Sequence, residues 1–350
     1  MNIYDISEQA CVSIATVSRV LNNSPHVSEK TRQHVLQVIR EAGFVPNAFA
    51  RGLGLNTMMT IGLLCPDASD PYLSSAISLL EHAFRENLYD CLLVCTGRER
   101  ADLDDGIRAL SSRHVDGMVL MGSSFVGRNT DDNRIILDTA GQTPLVILNG
   151  SLSAPNVYSV VCDDFQATRD AVARLAQEGR KRMLYLYHAL NPSGEQKLQG
   201  FLEGLRDAGL QPDSRYQIMI EKENKQVHAV SEIVRSLWKQ GLRFDSVLVS
   251  EDMLAVGALK ALSSMGLSIP EDVSLIGYNN SILCQCTAPE LTSIDNRLEA
   301  ICDQIVQTMI GVLSDKEMPL QTVFRARIAE RGSTRTAVLP PSVPDTLSGS

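Results

Sequence analysis

The spacing of apolar residues changes near residue 60. Before that point it is helical. Ile3, Ile6 and Ala10 mark a first helix that runs into Cys11-Val12-Ser13. Ser13 suits the N-cap of a second helix, roughly Ile14 to Leu21. Val17, Val20 and Leu21 form its inner stripe, and Ala15, Thr16, Ser18, Arg19 and Asn22 lie toward the other side. Asn22-Asn23-Ser24-Pro25 breaks the chain. Ser28 caps a third helix, with Glu29 in its first turn where negative charge suits the helix dipole. Val35, Val38, Ile39 and Ala42 give that helix an apolar face, and Gly43 is its expected stop.

After Thr60, short apolar runs alternate with amphipathic stretches. The runs are Ile61–Cys65, Cys91–Cys95, Met118–Met121, Leu145–Leu148, Val157–Cys162, Met183–Tyr187, Ile218–Ile220, Val247–Val249 and Val273–Ile276. Helix-like stretches such as Tyr72–Glu86 and Ala167–Glu178 separate many of them. This alternation predicts parallel sheets wrapped by helices, in two similar lobes, because so many strands exceed one modest sheet.

At 350 residues the chain is long enough for two or three domains. Its 44% apolar and 21% charged content reads as globular, and no apolar run approaches the ~20 residues of a membrane span. The first residues, Met1 to Asp5, lack a basic stretch followed by an apolar core, so a cytoplasmic location is expected. The eight cysteines are scattered without a C-x-x-C pair, which fits reduced thiols, although Cys284-x-Cys286 also has the form of a metal or redox pair. The formal charge is −9, unevenly placed. Five basic and four acidic residues leave residues 1–60 at +1 and the remainder at −10, so phosphate repels the head less than the body.

Three short helices with a tight turn between the first two describe a helix-turn-helix, whose second helix enters the major groove. The same pattern also suits a small three-helix core with no ligand. The choice narrows with Ile14-Ala15-Thr16-Val17-Ser18-Arg19-Val20-Leu21-Asn22, Val27-Ser28-Glu29-Lys30-Thr31-Arg32 and Gly43-Phe44-Val45-Pro46-Asn47-Ala48-Phe49-Ala50-Arg51-Gly52-Leu53. In this order and spacing they resemble the lactose/galactose repressor (LacI/GalR) family of transcription regulators. The resemblance implies that Ile14, Ala15 and Arg19 read bases, that Thr16, Ser18, Asn22 and Thr31 hold phosphates, and that His26 reaches the groove edge. It makes Asn47 to Leu53 a hinge helix, with Arg51 along the minor groove and Leu53 wedged between base steps; a Leu there also suits a plain linker contact. Cys11 stands where the family usually has Gly, and Gly52 and Gly54 where polar or basic residues are usual, so a DNA affinity that is modest, or that depends more on base contacts, is expected.

The body is similar to the family's effector core, a periplasmic-binding-protein-like pair of lobes. Matching pieces include Pro66-Asp67-Ala68-Ser69-Asp70-Pro71-Tyr72, Arg113-His114-Val115-Asp116-Gly117, Ile269 to Tyr278 and Glu330-Arg331-Gly332-Ser333-Thr334. The implied fold is an all-α helix-turn-helix head on an α/β two-lobed core. Its divisions are a head over 1–46, a hinge and linker over 47–59, a core over 60–335 and a disordered Pro- and Ser-rich tail over 336–350. Within the core, lobe one takes about 60–160 and 293–324, and lobe two about 161–292 and 325–335. The resemblance places a small-molecule effector between the lobes, against Asp70 and Tyr72 on one side and Asp163, Lys197, Glu251 and Asn279 on the other. Lys197, Glu251 and Asn279 depart from the family's usual Arg, Asn and Asp. A sugar derivative is therefore the first expectation, with an amine for Glu251 or an acid for Lys197. In the alternative, Lys197 and Glu251 pair across an unliganded cleft. Tyr72, Tyr278 and Trp238 are the candidate stacking aromatics, with Trp238 reading better as core or lobe surface.

The implied partners are double-stranded operator DNA of roughly palindromic sequence, the effector and a second copy of the chain. No cofactor, metal or membrane is called for. A solute-binding protein would share the core without the head. An enzyme built on Ser124, His188 and Asp163 lacks the G-x-S-x-G elbow, and H-E-x-x-H is absent too. The tail lacks the heptad leucines of a tetramer-forming coil, which favours a dimer.

Overall fold

The structure, a computed structural model, describes residues 3–21, 26–43, 57–221 and 225–335. The expected hinge helix and tail lie outside the described residues, as do Asn22, Asn47, Arg51 and Leu53.

The head consists of α1 (Ile3–Gln9), α2 (Ile14–Leu21) and α3 (Glu29–Glu41). Its core is Ile6, Ala10, Val17, Val20 and Val35, each at most 4% exposed. Both expected caps form: the Ser13 and Ser28 hydroxyls accept from the amides of Thr16 and Thr31, at 3.1 and 3.2 Å. Gly43 follows α3 at φ +59°, the left-handed stop predicted for it. The end of α1 does the same without glycine. Cys11 N–H donates to Glu8 O and Val12 N–H to Ser7 O, which closes the helix with Cys11 at φ +50°. A side chain in that region costs about 1–2 kcal/mol.

The core holds two six-stranded sheets. The first is built from β1 (Thr60–Cys65), β2 (Asp90–Cys95), β3 (Gly117–Met121), β4 (Leu145–Leu148) and β5 (Val157–Cys162). The second repeats the plan with β6 (Met183–Tyr187), β7 (Gln217–Met219), β8 (Ser246–Val249), β9 (Ser274–Tyr278) and β10 (Thr292–Asp295). Two late strands, β11 (Gln321–Phe324) and β12 (Arg327–Ala329), complete them, giving the orders β11-β5-β4-β3-β1-β2 and β12-β10-β9-β8-β6-β7. Every pairing is parallel except β10 with β12. The chain therefore leaves the first sheet after Cys162, returns after Asp295 and crosses again after Phe324.

Helices cover both faces of each sheet, which explains why the strands read as unbroken apolar runs. Ile61 and Leu63 pack on one side of β1, with Leu80 and Phe84 of α4 (Pro71–Glu86) and Ile305 of α5 (Leu298–Leu313). Leu64 packs on the other side with Leu103, Ile107 and Leu110. In the second lobe, α6 (Asp164–Gln177) lies against α7 (Pro192–Asp207) so closely that a Cβ on Gly200 would sit 2.2 Å from the Phe165 carbonyl oxygen. Two expected strands shift: β7 starts one residue early and β9 runs on to Tyr278. Among the described residues, no helix is long and apolar enough to cross a membrane.

Because Cys11 holds a conformation that glycine adopts without steric cost, Cys11→Gly should stabilise the head by about 1 kcal/mol. In the full chain, hydrogen exchange of the α1 amides should slow about fivefold.

Candidate functional site

Two regions present chemistry outward. The first is the free side of α2. Val17 and Val20 are buried, Ile14 is 39% exposed, and Ala15 and Arg19 are exposed on the opposite face. Thr16 and Ser18 flank them, half-buried. The Thr16 hydroxyl lies 2.9 Å from Ser13 Oγ and the Thr31 hydroxyl 2.8 Å from Ser28 Oγ, so each sits at a helix N-terminus, where backbone N–H groups favour phosphate oxygens. His26 is exposed just before α3.

The second region is a cleft of about 720 Å³ between the lobes. Its position follows from the strand orders. In each sheet the sequence of strands reverses between the first strand and the third, and the loops leaving the carboxyl ends there diverge to leave a crevice. Asp67 to Tyr72 follow β1 and Arg98 follows β2; His188 follows β6, Lys225 follows β7, Glu251 follows β8 and Asn279 follows β9. Asp70 caps α4 through the Tyr72 and Leu73 amides, and Asn149 donates to the Tyr72 hydroxyl at 2.9 Å.

Of the six residues expected around an effector, Asp70, Tyr72, Glu251 and Asn279 line this cleft; Asp163 and Lys197 do not. Asp163 caps α6 by accepting from the Gln166 amide. Lys197 turns away, its ammonium 3.7 Å from the centre of the Tyr278 ring and 3.4 Å from the Ser250 carbonyl oxygen. Tyr278 is buried and donates to the buried Asp164 carboxylate, which Ser193 also reaches. It is thus a support for Lys197 and no stacking platform. The Lys197–Glu251 pair does not form. Glu251 is paired with Lys225 at 2.9 Å, and Lys225 also lies 4.0 Å from Asp70 across the cleft. Trp238 packs edge-on against Phe244 in the second lobe, as its amphipathic stretch suggested. Cys284 is buried and Cys286 exposed, so the two do not face one site.

Arg98, His188 and Lys225 had no local sequence signal; only the strand order brings them to the cleft. Burial raises the Glu251 carboxyl above its ordinary range, partly offset by Lys225. Burial, and then the charges of Lys225, Lys197 and Arg98, push the His188 imidazole down to about 2. Its Nδ1 lies 3.2 Å from Ser250 Oγ, far along the chain from Ser124. The folded chain therefore refuses a proton that the unfolded chain accepts below 6.5, and this contribution to stability is lost as the pH falls. The His188 ring should stay neutral from about pH 8 down to about pH 5, a range in which an ordinary histidine titrates. The check is the pH dependence of its NMR ring signal, assigned by its loss in His188→Gln; a titration within that range would contradict this.

Comparison with known proteins matches two separate parts of the chain. The profile of bacterial regulatory proteins of the lacI family matches residues 2–47, and that of the periplasmic binding protein-like domain matches residues 172–334. An HTH-type transcriptional regulator of Lachnoclostridium phytofermentans is 46% identical over 334 residues, covering 95% of this chain and 99% of the relative. Among solved structures, a complex of the transcriptional regulator CelR with cellobiose is 26% identical, with a TM-score of 0.68, covering 95% of this chain and 99% of the other. A Lac repressor dimer bound to operator and the anti-inducer ONPF shares the fold with a TM-score of 0.84 at 21% identity, covering 95% of this chain and 99% of the other. A helix-turn-helix head with an outward α2, a two-lobed α/β core and this kinship together establish that the chain belongs to the LacI family of DNA-binding transcriptional regulators and is no enzyme.

Proposed function

We propose that this regulator is a cytoplasmic repressor of carbohydrate-related genes, and that it acts as a homodimer on a pseudo-palindromic operator whose affinity is set by a sugar or sugar derivative in the interlobe cleft. The observation that carries this reading is the cleft itself, lined from both lobes and bridged by the Asp70–Lys225–Glu251 contacts. A molecule seated there touches both lobes and so changes the free energy of their relative placement. The structure of CelR in complex with cellobiose supports a carbohydrate ligand, and the Lac repressor structure supports a dimer on operator DNA.

In this reading Ile14, Ala15 and Arg19 meet base edges while Thr16, Ser18, Asn22 and Thr31 hold phosphates. His26 touches the groove edge, Asn47 opens the hinge helix, Arg51 lies along the minor groove, and Leu53 kinks the duplex. Asp70, Tyr72, Glu251 and Asn279 contact the effector. Lys197 and Asp163 act behind the cleft, Lys197 on Tyr278 and Asp163 at the start of α6. Three crossings join the lobes, so closure of the cleft would be transmitted to the two heads of a dimer and couple effector to operator.

The test is selection of genomic fragments by the purified full-length protein at rising salt. A short palindrome that survives salt supports the reading, whereas sequence-random, salt-sensitive fragments alone would contradict it. On the recovered operator, Arg19→Ala should relax base preference at one position in each half-site by about 1–3 kcal/mol. Leu53→Ala should reduce DNA bending in a circular-permutation gel assay; unchanged bending would remove the wedge assignment.

A further inference from the structure

Among the described residues, the charged groups lining the cleft are Asp67, Asp70, Glu251 and Asp252 against Arg98 and Lys225. Most are already matched. Asp67 accepts from the Ser69 amide and hydroxyl, and Asp252 from the Ser281 amide and the Ser293 hydroxyl. Asp70 is a helix cap with Arg98 3.9 Å away. Glu251 differs. Its carboxylate is buried, and its Oε1 receives no hydrogen bond although the Lys225 ammonium lies 2.9 Å away. The Lys225 hydrogen bond goes to Oε2, at 3.0 Å.

Lys225 is an awkward partner. It lies two residues before α8, the helix Val227–Lys239, whose N-terminus disfavours positive charge. Its four-carbon stem must also be held in one conformation to reach across the cleft. The position between Glu251 and Asp70 is thus built for a cation and filled by one that is poorly matched to it. Lys197, the residue that would select an acid, is engaged with Tyr278 and Ser250 instead.

We propose that the small molecule of the cleft carries a protonated amine, which displaces the Lys225 ammonium from between Asp70 and Glu251. This rests on the reading of the cleft as the effector site and names the chemical class of its ligand. The amine donates to Glu251 Oε1, which is ion-paired with Lys225 but receives no hydrogen bond, while the neutral His188 ring beside it adds no repulsion; His188 Nε2 is 3.7 Å from Glu251 Oε2. Release of Lys225 removes its contact with Asp70, so the amine also replaces a link between the lobes.

The test uses full-length Lys225→Met, which vacates the cation position, and methylammonium chloride as the probe. Methylammonium should raise the melting temperature of Lys225→Met by at least about 2 °C over sodium chloride at equal ionic strength. The doubly substituted Lys225→Met/Glu251→Gln protein should show no such difference. Equal effects of the two salts, or equal rescue of the double variant, would overturn the proposal. Should Lys225→Met fail to fold, Lys225→Gln is read in the same way. Wild type gives an independent arm: D-glucosamine should stabilise it more than D-glucose or D-glucuronate, and equal shifts or a preference for glucuronate would overturn the proposal. Rescue by methylammonium that leaves operator affinity unchanged would uphold the cation site and sink the effector reading alone.

Discussion

A parallel sheet forces all of its strands to end at one edge, and the arrangement of this regulator's core descends from that constraint. Each βαβ unit returns the chain to the same side, so the loops after β1 and β2 gather at one end of the first sheet and those after β6, β7, β8 and β9 at one end of the second. The two ends face each other. Residues far apart in the chain, Asp70, Lys225 and Glu251 among them, thereby come within 4.0 Å. Strands β1 and β8, which hold Asp70 and Glu251 there, are buried on both faces, so their loops are free to carry charge while the framework stays fixed.

The edge of the second lobe next to the crossings is built differently, from polar residues that satisfy one another. Ser293 in β10 is buried and donates to Asp252, while Thr292 pairs with the Thr334 hydroxyl at 2.7 Å. Arg174, nearly buried, is clamped by Glu178 and Glu330 at 2.7 and 2.6 Å. Groups of this kind fix a register strongly, because breaking one partner away strands the other without solvent. They tie the last crossing strand to the second lobe.

Much of this was legible in the sequence. The period-3.6 stripes, the Ser13 and Ser28 caps and the Gly43 stop appear where the pattern put them, and the nine apolar runs became strands β1 to β9 with small shifts at their ends. Strands β10, β11 and β12 carried no apolar run. Thr292 and Ser293 are buried through hydrogen bonds, and β11 exposes alternate residues, so neither registers as hydrophobic. In the cleft, Asp70 and Glu251 were named by the resemblance to the family, position by position. Lys225 was not, since its role depends on which strand lies beside which, and Lys197 faces Tyr278 because α7 is set by the close approach at Gly200.

Occupancy of the cleft and grip on DNA are, in this account, two readings of one equilibrium between lobe arrangements, and linkage makes the coupling reciprocal. The most direct test is to measure the affinity of D-glucosamine for the free full-length protein and for the same protein saturated with its selected operator. A difference of about fivefold or more between the two constants is the predicted result. Equal affinities for the free and DNA-bound protein would contradict the account, because a molecule that binds both states equally cannot regulate the choice between them.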